Sequence, residues 1–314
     1  MVLRGQSFAV FCSALQSGSC PRLKLPGHIM CVDLHTHSVY SDGTATPAQL
    51  IDMAASRGLK GFALTDHDTI EGVAEIVHLG QQQGMDVVSG IEVSARHGDY
   101  SLHILGYGID PENLELGDRL AALQQGRKER NLKILEKLKG LGVPISSEEL
   151  ERLSSCGQAG RPHIARLLIG KGYAGTMNQA FDRYLGRKKP AWQSRFVYSA
   201  AETIAIIHQA GGVAVLAHPG LIDSNMKAQP QVIRELAERH LDGLEVYYPG
   251  HTHHMIQCLN RLARKYHLLA TGGSDYHGDN RTRGLAGKAA GFCPPDSIMP
   301  ALHERLRQRS VHHS

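Results

Sequence analysis

From Met30 onward, short apolar runs alternate with segments whose apolar residues recur at helical spacing. Runs at 30–34, 61–64, 86–91 and 100–107 predict strands, and segments at 46–58 and 70–83 predict helices between them. Thr46-Pro47 marks one helix start, a capping residue followed by a proline whose missing N–H is harmless in a first turn. After a long middle section the alternation resumes, with helix 200–210 leading into strand 213–217, helix 231–240 into strand 243–247, and helix 254–265 into strand 268–271. Strand–helix–strand repetition of this kind builds a parallel sheet or barrel, so the chain is expected to be α/β.

Residues 112–190 are rich in Lys, Arg, Glu and Leu, hold no convincing strand and predict a helical insertion. Within them, 120–138 carries apolar residues at helical spacing, and Arg127-Lys128-Glu129-Arg130 is expected to form a solvated helix face. Residues 1–29 contain Arg4, Arg22 and Lys24, no acidic residue, and an apolar patch from Phe8 to Leu15. That pattern predicts a leader or a disordered extension. The last residues, with His312 and His313, read as a frayed tail.

Composition excludes several classes. With 42% apolar and 20% charged residues the chain is neither disordered nor a coiled coil. The formal net charge of +4 is too mild for a dedicated nucleic-acid binder, and a single Trp argues against a stacking platform for long single strands. No apolar run approaches the roughly 20 residues of a membrane span. The six cysteines (Cys12, Cys20, Cys31, Cys156, Cys258, Cys293) show no CxxC pair and no regular spacing, so neither a zinc ribbon nor a disulfide scaffold is expected, and a reducing cytoplasm is the default setting. The abnormal abundance is histidine, at 19 residues.

The histidines fall where chemistry is built. Strand 30–34 runs into His35-Thr36-His37, and the period-two alternation of a strand turns both imidazoles to one side. Asp42 follows in a loop free to curl back. Strand 61–64 leads to Asp66-His67-Asp68, strand 86–91 to Glu92, strand 213–217 to His218-Pro219 and strand 268–271 to Ser274-Asp275-Tyr276-His277, while segment 100–107 carries His103. Strand C-termini of α/β folds share one face, so these side chains are expected to converge. Six His, two Asp and one Glu exceed the roughly four to six ligands of one ion and suit two or three ions sharing a carboxylate. The absence of cysteine favours Mn²⁺, Zn²⁺ or Fe²⁺ in a working site over structural zinc. Neighbouring divalent ions activate water and clamp phosphoryl oxygens, which makes hydrolysis of a phosphate ester the expected reaction. Asp66 and Asp68 are expected to orient the imidazoles they flank. His251, His253 and His254 either face the same mouth or simply open a helix, and His163 is either a cap or a contact.

Taken together, His35-Thr36-His37-Ser38, Thr65-Asp66-His67-Asp68, Gly90-Ile91-Glu92, His103, Ala217-His218-Pro219 and Ser274-Asp275-Tyr276-His277 resemble the polymerase and histidinol phosphatase (PHP) domain family, over residues 30 to 287. The resemblance implies a distorted (β/α)₇ TIM-like barrel from 30–111 and 191–290, a helical insertion subdomain at 112–190, and a C-terminal helix and tail at 291–314. It implies a trinuclear site: His35, His37, Glu92 and Asp275 on one ion, Glu92, His103 and His218 on a second, and Asp42, His67 and His277 on a third. His35, His37, Glu92 and Asp275 would hold the metals and the attacking hydroxide, with Mn²⁺ preferred over Zn²⁺ or Fe²⁺. The segments Gly160-Arg161-Pro162-His163-Ile164-Ala165-Arg166 and Gly186-Arg187-Lys188-Lys189-Pro190 resemble the branch of nucleoside 3′,5′-bisphosphate phosphatases and 5′-to-3′ exoribonucleases acting on short RNA. Arg161 is suited to fork onto phosphate oxygens and Lys189 to supply a point charge. The expected partner is therefore a small nucleotide or short oligoribonucleotide, with no stable protein partner. Two other readings are a histidinol-phosphate-type phosphatase, which would not require an arginine-rich insertion, and a non-catalytic binding module, which would not require a full ligand set.

Overall fold

The computed structural model describes residues 30–154, 158–280 and 283–312. The expected leader at 1–29, Cys12, Cys20, Cys156 and the last two residues lie outside them. The chain starts with β1 (Val32–Asp33), α1 (Pro47–Ser56), β2 (Gly61–Ala63), α2 (Val73–Gln82) and β3 (Asp86–Val88), a parallel sheet in the order β1-β2-β3. Thr46 and Gln49 exchange side-chain and backbone hydrogen bonds at 2.9 and 3.2 Å to open α1, as the Thr-Pro start predicts.

The next two strands depart from the expected parallel order. The run expected at 86–91 breaks at Ser89, and β4 (Gly90–His97) turns back as a hairpin into β5 (Tyr100–Tyr107), pairing His97 with Tyr100. Two intervening residues can only reverse a chain, because a parallel return needs a crossover of about a dozen. β5 is accordingly antiparallel to β4 and to β7 (Val213–Leu216). Glu92 and His103 thus project from within strands and not from beyond their ends.

The insertion follows as α3 (Leu114–Gly140), α4 (Ser147–Leu153), α5 (Arg161–Gly170), α6 (Met177–Ala180) and one π-helical turn at Phe181–Leu185. Leu116, Leu120 and Leu123 of α3 pack into the core under the larger sheet. Ile134 and Leu138 of the same helix join Leu150, Ile164, Leu168 and Leu185 in a second core. Between the two, Arg127 and Arg130 are 7% and 6% exposed, so the expected solvated face is wrong for both; only Lys128 and Glu129 face outward.

Alternation then resumes with β6 (Tyr198–Ser199), α7 (Ala200–Gln209), β7, α8 (Gln229–Ala237), β8 (Gly243–Tyr247), α9 (His253–Lys265), β9 (Leu269–Gly272) and α10 (Ile298–His312). The larger sheet has the order β6-β4-β5-β7-β8-β9, parallel along β7-β8-β9. Backbone hydrogen bonds link it to the smaller sheet on both flanks: Leu34 N–H to the Gly272 carbonyl (3.2 Å) and Asp275 N–H to His35 (2.8 Å) on one, Glu92 N–H to Asp66 (3.1 Å) and Asp68 N–H to Glu92 (2.9 Å) on the other. The fold is mixed α/β. α10 buries Ile298, Met299 and Leu302 against Val32, Leu34 and Ala63. Beside it, Cys31 and Cys293 form a disulfide across 262 residues; cysteine spacing predicts no disulfide scaffold, and so distant a single pair leaves no mark in it. No helix among the described residues is long and apolar enough to cross a membrane.

Candidate metal centre

The residues after β1 fold back on themselves. His35 and His37 are fully buried, while Thr36 between them points away and donates to the Ala63 carbonyl at 2.8 Å. Asp66 then gathers the following loop, accepting from Ser38 N–H (2.8 Å), Ser38 Oγ (2.6 Å) and Ser41 Oγ (2.5 Å). This return brings Asp42 Oδ1 to 3.1 Å from His277 Nε2 and 3.9 Å from His67 Nε2. Gly43 makes it possible, since a Cβ there would stand 2.3 Å from the His37 carbonyl oxygen.

Glu92 lies at the centre. Its Oε2 is 2.8 Å from His67 Nδ1 and 3.3 Å from both His35 Nε2 and His37 Nε2; its Oε1 is 2.9 Å from His103 Nδ1 and 3.0 Å from His218 Nε2. Asp275 Oδ1 approaches His35 Nε2, His37 Nε2 and His277 Nδ1 at 3.6, 3.4 and 3.4 Å. Four overlapping groups result: His37, Asp42, His67 and His277; His35, Glu92 and His218; His35, His37 and Asp275; His67, Glu92 and His103. Within each group the donor atoms lie within 4.8 Å of one another, and the four together contain all nine residues expected from the sequence.

These residues fit divalent ions. His35 Nε2, both nitrogens of His37, His67 Nδ1, His277 Nε2 and Glu92 Oε2 are buried at close range without hydrogen-bond geometry to any partner. Each such atom costs about 1–3 kcal/mol unless something satisfies it. Atoms that converge without bonding one another, all oxygen or imidazole nitrogen, are the donor set of cations such as Mn²⁺, Zn²⁺ or Fe²⁺. The protein's own field is divided across the site. Burial works against charge on His35, but Glu245, Glu92 and Asp275 outweigh it and hold its pKa well above the ordinary value. Burial, with His277 and His67 adjacent, holds His37 well below.

Beside the cluster opens a cavity of about 520 Å³, with Asp42, His67 and His103 on one wall and Arg127, Arg130, Arg161, Arg187 and Arg195 around the others. Four of these arginines have hydrogen-bond partners: Arg127 and Arg195 (2.8 Å) both donate to the buried Asp68 carboxylate, Arg130 donates to Asn131 Oδ1 (2.9 Å) and Arg187 to the Asp99 carbonyl (3.3 Å). Arg161 lies 5.9 Å over the Phe181 ring. Lys189 is exposed and outside this lining, where its neighbour Arg187 stands instead.

The other candidates have structural tasks. Asp66 holds the Ser38–Ser41 loop and Asp68 holds arginines, so neither orients an imidazole as expected. His163 Nδ1 accepts Gly160 N–H at 3.1 Å as a helix cap, and burial lowers its pKa to about 4. His251 bridges the Val246 carbonyl (2.9 Å) and Gly220 N–H (3.0 Å), and His253 and His254 contact Gln257 and Cys258 one turn along α9.

Comparison with known proteins agrees with this geometry. The PHP domain profile matches residues 33–271, which include the converging residues from His35 through His218. The 5′-3′ exoribonuclease Rnm of Salmonella typhimurium is 34% identical over 247 residues, 78% of this chain and 84% of that protein. The 3′,5′-nucleoside bisphosphate phosphatase of Chromobacterium violaceum is also 34% identical over 247 residues, 78% of this chain and 87% of that protein. A solved structure from Bifidobacterium adolescentis, described as a metal-dependent phosphoesterase, superposes with a TM-score of 0.78 at 31% identity, covering 88% of this chain and 96% of that one. With the profile spanning residues 33–271 and relatives of this identity covering 78% of the chain, the chain belongs to the PHP domain family.

Proposed function

We propose that this protein is a metal-dependent phosphoesterase that releases phosphate or a nucleotide from a nucleoside 3′,5′-bisphosphate or a short 5′-phosphorylated RNA. The observation that carries the reading is the juxtaposition of nine converging ligand side chains, with Glu92 at their centre, and an arginine-lined cavity. His35, His37, Glu92 and Asp275 would hold one ion, Glu92, His103 and His218 a second, and Asp42, His67 and His277 a third, with Mn²⁺ the preferred metal. Bound there, such ions lower the pKa of water and polarise phosphoryl oxygens. The chain's own part is to grip and orient. Arg161 and Arg187 face the cavity to receive the non-reacting phosphate, while Arg127 and Arg195, both held by the single Asp68 carboxylate, shape its wall. The named activities of the two relatives, on RNA and on nucleoside bisphosphates, support this substrate class.

The backbone bonds on both flanks of the sheets support one distorted (β/α)₇ barrel, from 30–111 and 191–290. Residues 112–190 would be an inserted subdomain walling the cavity, with 291–314 as a C-terminal helix and tail. The test is phosphate release by the purified Mn²⁺-loaded protein from adenosine 3′,5′-bisphosphate, a 5′-phosphorylated oligoribonucleotide and histidinol phosphate, with metals counted by elemental analysis. Turnover of either nucleotide with two or more ions per chain is expected. Turnover of histidinol phosphate alone, or fewer than two ions, would refute the reading.

A further inference from the structure

One buried carboxylate beside the cluster belongs to none of the converging groups. Glu245 sits in β8 between Leu244 and Val246, all three fully buried, and strand alternation turns it away from their apolar face. Its Oε1 is 2.9 Å from His35 Nδ1, and its Oε2 accepts the His218 backbone N–H at 2.6 Å.

Each contact constrains a residue that borders Glu92. An imidazole that gives its Nδ1–H to a carboxylate presents the Nε2 lone pair on its other edge, and His35 Nε2 is the atom 3.3 Å from Glu92 Oε2 and 3.6 Å from Asp275 Oδ1. His218 has a left-handed backbone, φ 30° and ψ 55°, which a side chain other than glycine keeps only where its surroundings impose it. Its N–H is fixed by Glu245 and the Gly220 N–H two residues on by His251, leaving His218 Nε2 3.0 Å from Glu92 Oε1. One carboxylate on β8 thereby sets two imidazoles that arrive from β1 and β7.

We propose that Glu245 is a positioning residue of the metal centre: it selects the ring nitrogen that His35 offers and holds His218 in its strained backbone state, so that each is aimed at the ion it would share with Glu92. The inference rests on the reading that the cluster binds divalent cations. Outer carboxylates on metal-bound histidines commonly change metal affinity by about 10- to 100-fold.

The test measures binding instead of turnover. Mn²⁺ affinity of the wild type, Glu245→Gln and Glu245→Ala is read by competition with a chromophoric chelator, and ¹⁵N shifts of the histidine rings are recorded on the Zn²⁺-loaded protein. The Gln variant keeps the volume but retains a single acceptor oxygen, so it is expected to fold and to bind Mn²⁺ about 10- to 100-fold more weakly. In the wild type, His35 is expected to be protonated at Nδ1 and ligated through Nε2, and that uniformity is expected to be lost in the variant. Wild-type affinity in Glu245→Gln would overturn the proposal, as would wild-type His35 ligated through Nδ1, a measurement that requires no variant to fold. A wild-type protein that binds no Mn²⁺ or Zn²⁺ would instead refute the metal reading itself.

Discussion

Arg127, midway along α3, donates to Asp68, the residue that follows His67. The same carboxylate accepts from Arg195 (2.8 Å) and from Ser94 N–H (2.8 Å), and its carbonyl accepts from Gln124 (3.0 Å), so it ties the insertion to the strand end beside the metal cluster. Burial alone would raise the Asp68 pKa, yet Arg195 and Arg127 hold it well below the carboxylate range. Replacing it by Asn keeps the shape and leaves two guanidinium groups in a poorly hydrated wall without their counter-charge. Asp68→Asn is expected to lose about 3–5 kcal/mol of unfolding free energy, measured by urea titration. A loss below about 1 kcal/mol would mean that the insertion is anchored elsewhere.

Arg161 and Lys189, equal candidates from the sequence, are separated by the structure, since only Arg161 lines the cavity. On adenosine 3′,5′-bisphosphate, Arg161→Ala is expected to raise KM at least tenfold, the loss of a charge-assisted phosphate contact of about 1.5–3 kcal/mol. Lys189→Ala is expected to leave KM within twofold. Steady-state kinetics on both variants checks this; comparable losses in the two would restore the sequence reading, and a loss in Lys189→Ala alone would overturn the assignment of Arg161.

The legibility of the site follows from how each residue is placed. The convergence of the nine side chains was readable because strand ends govern most of it: His35 and His37 share a side by period two, while Asp275 and His277 follow the end of β9, where the left-handed backbone of Asp275 is a turn that alternation does not predict. The arginine wall was half readable. Positions 116, 120, 123, 127, 130, 134 and 138 form one stripe at helical spacing, and reading Arg127 and Arg130 as part of that stripe predicts their burial. Arg195 carries no such signal, because it meets Asp68 from a segment without regular structure 127 residues away. Glu245 was a missed signal of another kind, a charged residue inside an apolar strand, which is expensive unless its charge has a task.

Asp242 gives a pH-dependent prediction away from the metal site. It is 5% exposed and accepts from His208 Nε2 (2.7 Å) and Ala214 N–H (2.8 Å), with Arg305 and Arg309 of α10 at 3.5 Å. Burial raises its pKa, but the bonds from His208 and Ala214 and the charge of Arg309 outweigh this and leave it lowered. A carboxyl whose folded pKa lies below the unfolded value of about 3.9 stabilises the fold fully above that value, and the contribution fades as the pH falls through the folded pKa. Asp242→Asn is therefore expected to cost about 1.5–3 kcal/mol at neutral pH, with the gap to wild type closing below about pH 4. Denaturant titrations at pH 7 and pH 3 measure both values; a gap that widens in acid contradicts the assignment.

The Cys31–Cys293 disulfide closes almost the whole described chain into one loop, with Val32 N–H on the Pro294 carbonyl (3.0 Å) and Asp296 N–H on Met30 (3.0 Å) beside it. It is expected to act on stability and not on chemistry. Cross-linking such distant residues restricts the unfolded chain strongly, typically by about 2–4 kcal/mol. The cluster, in contrast, is fastened by its own backbone bonds, His37 N–H to Tyr276 (2.9 Å) and Asp275 N–H to His35 (2.8 Å). Cys293→Ser, or reduction with dithiothreitol, is thus expected to lower the unfolding free energy by about 2–4 kcal/mol while Mn²⁺ affinity and turnover at 25 °C stay within twofold. Calorimetry with and without reductant, paired with a chelator-competition titration, separates the two effects. A metal affinity that fell with the disulfide would show that the 292–296 segment supports the cluster directly, through β1.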